Sequence, residues 1–232
     1  MVYIPTRSGL SLTQIPYLEK ETRTSYGTHS ISSYWVYICY VVNRLIMKSN
    51  IILQDLYRYE GERSNCLSVL LKYKYFIPGF TYLYYFRKNQ ITKNILLKCI
   101  YKILLRITSY ITHIQIPPET KIGPGCRIVH FGTIVVNPNA IIGKNFNISQ
   151  GTLIGNAQGK RAGTPVIGDN VCMNANSIII GNCRIGNNVL IAPGAFINFD
   201  VPDNSIVIGN PGQIIPQESS PTKKYIVYPL TD

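Results

Sequence analysis

Aliphatic residues recur at every sixth position along the second half of this 232-residue chain, and this period constrains the fold more than any other feature. An α-helix repeats about every 3.6 residues and a β-strand every two, so neither element explains it. A six-residue period is typical of a solenoid built from short stacked strands. The recurring residues form three runs: Ile116, Ile122, Ile128, Ile134; Ile142, Ile148, Ile154; and Ile167, Met173, Ile179, Ile185, Ile191, Ile197.

The period predicts a triangular prism. Three hexapeptides make one coil of 18 residues, and successive coils stack at the spacing of neighbouring strands, ~4.8 Å. The recurring residue points inward, and the residue four places later shares the interior and is usually small, as at Gly132 and Ala195. Glycine or asparagine supplies the left-handed backbone at the corners. Three stacked pairs are expected: Ile167 with Ile185, Met173 with Ile191, and Ile179 with Ile197.

The first half of the chain has a different character. Residues 50–111 carry apolar side chains at three- and four-residue spacing, which predicts helices. Pro78 and Gly79 interrupt the pattern, and residues 89–92 are expected to separate the last two helices. The expected fold is mainly β, a left-handed parallel β-helix at 114–215 after a small α-helical leader at 47–113. Residues 1–46 are interpreted as an uncertain N-terminal extension before a natural start at Met47, and residues 216–232 as a C-terminal tail.

Charge is spread unevenly along the chain. Residues 1–115 hold 15 Lys and Arg against 5 Asp and Glu, whereas residues 116–232 hold 8 against 6. No zinc-finger spacing or RNA-recognition motif accompanies the basic half, so no nucleic-acid partner is expected. The apolar run "YWVYICYVV" is too short to span a membrane. We expect a cytoplasmic protein. The lysines of the last helix, such as Lys98 and Lys102, form either a solvated face or a peripheral membrane contact.

The six cysteines form no CxxC pair and have no histidine cluster beside them. They are interpreted as small apolar residues in a reducing compartment, and no metal site is expected.

The repeat is interrupted twice, and function is expected where it is interrupted. Two extra residues lie between Ile134 and Ile142, and a thirteen-residue step leads from Ile154 to Ile167. The second interruption, residues 155–166, predicts an extruded loop that carries a lysine and an arginine. His130 precedes the first interruption. Because Ile128 and Gly132 are expected to point inward, His130 is expected to point outward, where a neutral imidazole can act as a general base toward a hydroxyl.

Residues 115–215 resemble the hexapeptide-repeat acyltransferases, and among them the serine acetyltransferase branch. The resemblance rests on "IPPETKIGPGCRIVHFGTIVV", "NISQGTLIGN", "TPVIGDNVCMNANSIIIGNCRIGNNVLIAPGAFI" and "VPDNSIVIGNPGQII". The preceding "DLYRYEGERSN" and "FIPGFTYLYYFRKNQ" are similar to the helical leader of many such proteins. The resemblance implies a homotrimer that uses acetyl-CoA in grooves between neighbouring prisms, with His130 as the catalytic base. It also implies a set of CoA-binding residues: Gly155, Lys160, Arg161, Ala175, Asn176, Ala192 and Pro193.

The sequence departs from the serine acetyltransferase pattern near the histidine. Gln115 and Val129 stand where that pattern has aspartates, and "RAGTP" stands where it has a second histidine before the proline. An ammonium group favours a carboxylate partner, so these departures leave two acceptors open: serine, or a sugar hydroxyl in surface polysaccharide synthesis. A non-catalytic trimeric scaffold is the alternative from another class. A γ-class carbonic anhydrase-like enzyme requires three histidines for its zinc, and the repeat offers His130 alone.

Overall fold

The computed structural model describes residues 50–62 and 67–231, and all of these lie in one unit of the chain. The predicted extension at 1–46 and the predicted start at Met47 lie outside the described residues. The helical pattern forms four helices: α1 (Ile51–Glu60), α2 (Leu67–Phe76), α3 (Pro78–Ile91) and α4 (Ile95–Thr112).

Local capping signals set the helix boundaries. The Asn50 side chain accepts a hydrogen bond from the Ile52 amide, 3.0 Å, at the start of α1. Pro78 occupies the first turn of α3, where its missing N–H costs nothing. Asn94 caps α4 by accepting from two backbone amides, and His113 ends that helix in the left-handed conformation with φ 56°. The separator expected at 89–92 lies instead at 92–94, because α3 continues to Ile91 and α4 begins at Ile95.

After α4 the chain winds through fifteen strands that form three sheets, and we call these sheets faces A, B and C. Face A contains β1 (Ile114–Gln115), β4 (Ile134–Val136), β7 (Leu153–Gly155), β10 (Ile178–Ile180) and β13 (Phe196–Ile197). Face B contains β2 (Lys121–Ile122), β5 (Ile141–Ile142), β8 (Val166–Ile167) and β11 (Arg184–Ile185). Face C contains β3 (Arg127–Ile128), β6 (Asn147–Ile148), β9 (Cys172–Met173), β12 (Leu190–Ile191) and β14 (Ser205–Ile208), with β15 (Gln213–Pro216) antiparallel at its end.

The pairing register confirms the predicted β-helix. Within each face, the strands that the coil stacks are parallel, and the three expected pairs are in register. All thirteen recurring residues are at most 7% exposed, so they form the continuous core of the prism. At the corner between faces B and C, four asparagines adopt left-handed backbone and link their side chains into a ladder at 2.9–3.0 Å: Asn145, Asn170, Asn188 and Asn204. The structure therefore has the predicted architecture, including its left-handed corner residues.

The first interruption of the repeat lies earlier than the sequence suggested. Ile128 pairs with Ile148 twenty residues later, whereas Val136 pairs with Ile154 after the regular eighteen. The two extra residues therefore lie between Ile128 and Val136, in the turn that contains His130. The six-residue series continues through Val136 and not through Ile134. The sequence favoured Ile134 because that residue is also aliphatic and buried, at the first position of β4. The expected inward position of Gly132 is wrong for the same reason: the longer turn leaves that glycine half-exposed.

Buried polar contacts join the leader to the first coil. The Arg87 Nε donates to Asp55 Oδ2 at 2.8 Å, and both side chains are 1% exposed. Arg87 also donates to the carbonyl oxygens of Ile122 and Gly123, each at 2.7 Å, and Asp55 accepts from the Cys126 amide at 2.9 Å. This cluster fixes the leader on the end of the prism.

The segment after β15 returns along the prism. Asn145 exchanges hydrogen bonds with the backbone of Leu230, at 2.9 and 3.1 Å, and Asn147 donates to the carbonyl oxygen of Tyr225 at 3.0 Å. Arg58 of α1 donates to the carbonyl oxygen of Val227. The tail therefore packs against both the leader and face C. Within residues 50–62 and 67–231, no helix combines the length and hydropathy required to cross a membrane.

Candidate active site

The turn that carries His130 is the longest connection between faces C and A. The Val129 amide still follows the sheet pattern and donates to the carbonyl oxygen of Ile148 at 2.8 Å. The chain then leaves the prism wall, and Gly132 (φ 122°) and Thr133 (φ 36°) bring it back into β4. Val129, His130 and Phe131 are all exposed. The two extra residues thus displace the imidazole from the wall and present it to solvent.

Three further turns stack beside this one along the same corner of the prism. The Gly151 amide donates to the carbonyl oxygen of Gly132, 3.1 Å, and two equivalent bonds join the later turns at 3.0 and 2.9 Å. We call residues 129–133, 149–152, 174–177 and 192–195 the His130 edge. Four of the predicted CoA-binding residues lie on this edge: Ala175, Asn176, Ala192 and Pro193. The structure therefore brings them into one line with His130.

The other three predicted residues lie elsewhere. Gly155 ends β7 on face A, where it pairs with Ile180. Lys160 and Arg161 form a 3-10 turn in residues 156–165, which connect face A to face B on the opposite side of face A from the His130 edge. We call residues 156–165 the loop edge. Face A therefore lies between the two groups of predicted residues.

The loop edge is an ordered structure rather than a loose insertion. Its two sides pair through a bridge between Ala157 and Gly163. Arg161 forms an ion pair with Asp200 at 3.1 Å and donates to the carbonyl oxygen of Asn182 at 3.2 Å. The backbone amide of Arg184 lowers the pKa of Asp200, with Arg161 adding to the effect. Arg161 is thus already engaged, whereas Lys160 is exposed and has no ion-pair partner among the described residues.

The two positions where the sequence lacks aspartates are also exposed. Gln115 lies on β1 beside Val135 of β4, and Val129 directly precedes His130. Within the described chain, no hydrogen bond joins the His130 side chain to a carboxylate. The backbone carbonyl oxygen of Gln150 accepts from the Asn176 amide at 3.0 Å within the His130 edge, a neighbour that the sequence did not single out. Once the two extra residues are placed between Ile128 and Val136, the stacking of successive coils puts Gln150 in the turn next to that of His130.

The buried cysteines and the possible metal ligands of the described residues are not arranged for chemistry. Burial raises the pKa of Cys126 to about 12 and that of Cys172 and Cys183 to about 11, so all three stay protonated near neutral pH. Across the described residues, no group of three His, Cys, Asp or Glu side chains could hold a metal ion. The imidazole of His130 is exposed on the prism wall, in contrast to these buried thiols.

Comparison with known proteins agrees with this geometry. A family model described as "Bacterial transferase hexapeptide (six repeats)" matches residues 164–198. A serine acetyltransferase of Synechococcus elongatus is 34% identical over 153 residues, which are 65% of this chain and 61% of that protein. A serine acetyltransferase of Staphylococcus epidermidis is 37% identical over 119 residues, 50% of this chain and 55% of that protein. The chain thus spans between half and two thirds of the length of these curated relatives.

A solved structure extends the likeness into the leader. The crystal structure of serine acetyltransferase from Neisseria gonorrhoeae aligns with 76% of this chain and 70% of its own, at 29% identity and a TM-score of 0.59. The same enzyme in complex with serine aligns with 73% of this chain and 72% of its own, at 27% identity and a TM-score of 0.56. The resemblance predicted from the sequence is confirmed. The chain is a hexapeptide-repeat protein with a left-handed parallel β-helix, and it is similar to the serine acetyltransferases.

Proposed function

We propose that this chain transfers an acetyl group from acetyl-CoA to a hydroxyl group, with His130 as the general base. The observation that carries this proposal is the lengthened turn, which presents one exposed imidazole on the edge of a prism whose relatives are serine acetyltransferases. A neutral imidazole accepts a proton near pH 7, which is the requirement for activating an alcohol.

The proposed reaction needs few groups. His130 takes the hydroxyl proton as the acceptor oxygen attacks the thioester carbonyl carbon. Backbone amides of the neighbouring turns stabilise the negative charge that forms on the carbonyl oxygen. When the C–S bond breaks, the imidazolium returns its proton to the departing sulfur, so the products are the acetyl ester and free CoA. The protein is then in its starting protonation state.

The co-substrate is proposed to lie along the His130 edge, beside Ala175, Asn176, Ala192 and Pro193. Asn176 and Pro193 are exposed and Ala175 and Ala192 are half-buried, so this line of residues is open to a ligand. Lys160 lies on the loop edge, across face A from this groove, so it would meet a CoA phosphate from a neighbouring chain of an oligomer rather than from its own chain, whereas Arg161 is already paired with Asp200. In a homotrimer, which we also propose, a neighbouring prism would form the second wall of this groove.

Serine is the acceptor that the relatives support, since they carry that name and one solved complex contains serine. A sugar hydroxyl in surface polysaccharide synthesis is the second candidate. The observation that favours it is the absence of carboxylates at Gln115 and Val129, since an amino-acid ammonium group favours such a partner. A sugar has no ammonium group to satisfy.

An acceptor screen tests the proposal. We expect purified protein to release CoA from acetyl-CoA in a saturable manner with L-serine, and not with O-methylserine, which lacks the hydroxyl. Release with a nucleotide- or lipid-linked sugar, and none with serine, would replace serine by the second candidate. If no hydroxyl compound in the panel supports release, the proposed transfer is wrong and the non-catalytic scaffold is favoured.

A further inference from the structure

The outer side of α4 is unusually apolar for a surface helix. Only Leu105, Thr108 and Thr112 of this helix are buried. Eight large apolar side chains are between 48% and 72% exposed: Ile95, Leu96, Leu97, Ile100, Ile103, Ile107, Tyr110 and Ile111. Apolar side chains scattered singly on a surface are ordinary, but a contiguous apolar face indicates an interaction site. We call these eight residues the α4 face.

One flank of the α4 face is cationic. Lys98, Lys102 and Arg106 follow one another at four-residue spacing, which places them in one row along the helix. The sequence of α4, "ILLKCIYKILLRITSYIT", contains no Asp or Glu. Arg106 also lies over the Tyr110 ring, 5.0 Å from its centroid, so its charge is held beside the apolar residues.

A groove beside α4 is lined by two of these cations. Its volume is about 770 Å³, and Lys102, Arg106 and His113 line it together with apolar residues of α4 and the following segment. No acidic residue of the described part of the chain lines it. An anionic group that approaches the flank of α4 therefore meets Lys98, Lys102 and Arg106 without an opposing carboxylate from these lining residues.

We propose that the α4 face docks on an anionic lipid surface, with α4 lying in the plane of the membrane. The apolar residues would enter the boundary between headgroups and acyl chains, and the row from Lys98 to Arg106 would meet lipid phosphates. With 18 residues, α4 offers a contact about 27 Å long. This docking is independent of the proposed acetyl transfer.

Charge favours lipid over the α4 face of a second copy of the chain. Two α4 faces placed against each other would bring together two cationic rows, and α4 has no acidic side chain to compensate them. Anionic headgroups supply the complementary charge. Each Lys or Arg near such a surface strengthens binding by about fivefold at moderate ionic strength.

The test uses the full chain with two kinds of vesicle, one of phosphatidylcholine alone and one that also contains phosphatidylglycerol. We expect the protein to sediment with the anionic vesicles at least about tenfold more strongly, and to dissociate at high salt. The double variant Lys98→Gln/Lys102→Gln should bind about 25-fold more weakly. Its matched control, Lys223→Gln/Lys224→Gln, changes two exposed tail lysines and should bind like the unaltered protein.

The apolar contribution has its own pair of variants. Ile100→Ser/Ile107→Ser should lose most vesicle binding, whereas Ile215→Ser/Val227→Ser, at residues with similar exposure elsewhere, should not. Circular dichroism verifies that each variant folds. If a serine variant does not fold, the vesicle binding of Lys98→Gln/Lys102→Gln alone tests the proposed docking. The proposal is overturned if the protein sediments with neither vesicle or if both lysine pairs have equal effects. It is also overturned if light scattering shows that Ile100→Ser/Ile107→Ser dissociates an assembly, because copies of the chain would then cover the α4 face.

Discussion

Replacing His130 with alanine is expected to slow CoA release by about 10²–10⁴-fold, which is the range for loss of a general base. The substitution removes the proton acceptor from an exposed turn and leaves the prism core untouched, because the buried residues on either side are Ile128 and Ile134. The melting temperature should therefore change little. The measurement is steady-state CoA release at saturating acetyl-CoA, with the acceptor identified in the screen.

The control for this experiment is Lys121→Ala, which alters an exposed residue of β2 on face B, away from the His130 edge. It should retain full activity. If His130→Ala keeps full activity with the fold intact, His130 is not the base. If both variants lose activity together with their thermal stability, the loss reflects unfolding, and the acetyl-transfer test is repeated with His130→Gln, which preserves more of the side-chain volume.

Replacing Arg87 with methionine is expected to reduce the free energy of unfolding by about 3–5 kcal/mol, the range for breaking a buried ion pair from one side. The Asp55 carboxylate would stay buried and retain backbone amide donors, while the carbonyl oxygens of Ile122 and Gly123 would lose theirs. Denaturant unfolding of both proteins measures the difference.

The pH dependence of the unfolding free energy of Arg87→Met shows whether the unpaired Asp55 carboxylate causes the loss of stability. Burial raises the pKa of the Asp55 carboxyl, and the Arg87 guanidinium opposes that rise. Without Arg87 the pKa of Asp55 rises further. A carboxyl whose pKa is higher in the folded than in the unfolded state stabilises the fold below its unfolded pKa, and that contribution is lost as pH rises through the folded value. The stability deficit of Arg87→Met should therefore shrink as the pH is lowered.

The Arg161–Asp200 pair supplies the control. Its side chains are 42% and 65% exposed, so solvent screens the attraction. Arg161→Met should reduce the free energy of unfolding by no more than about 1 kcal/mol. Equal losses for Arg87→Met and Arg161→Met would contradict the structural role assigned to the buried cluster.

Most of the prism was predictable because a six-residue period leaves few alternatives. Each coil repeats the same inward position, so stacked partners such as Ile179 and Ile197 follow from sequence separation alone. The position of the first interruption could not be read from the sequence. Ile134 and Val136 are both buried in β4, and only the pairing of Val136 with Ile154 reveals which of them continues the series.

The candidate site was predictable only in part. The exposure of His130 followed from the repeat, although the physical cause is the longer turn rather than an inward Gly132. The separation of Lys160 from the His130 edge depends on which face each turn joins, and that required the register. Contacts such as Asp55 with Arg87, which come from different helices, depend on how the helices pack. No local pattern in the sequence encodes that packing.

Calorimetric titration of the full chain with CoA measures whether the protein binds the proposed co-substrate. The proposed transfer requires the protein to bind CoA whichever acceptor it uses. The experiment therefore does not depend on the identity of the acceptor. We expect saturable binding of about one CoA per chain, retained in His130→Ala because the base does not hold the co-substrate. If the folded protein does not bind CoA, the proposed acetyl transfer is wrong and a non-catalytic scaffold is favoured.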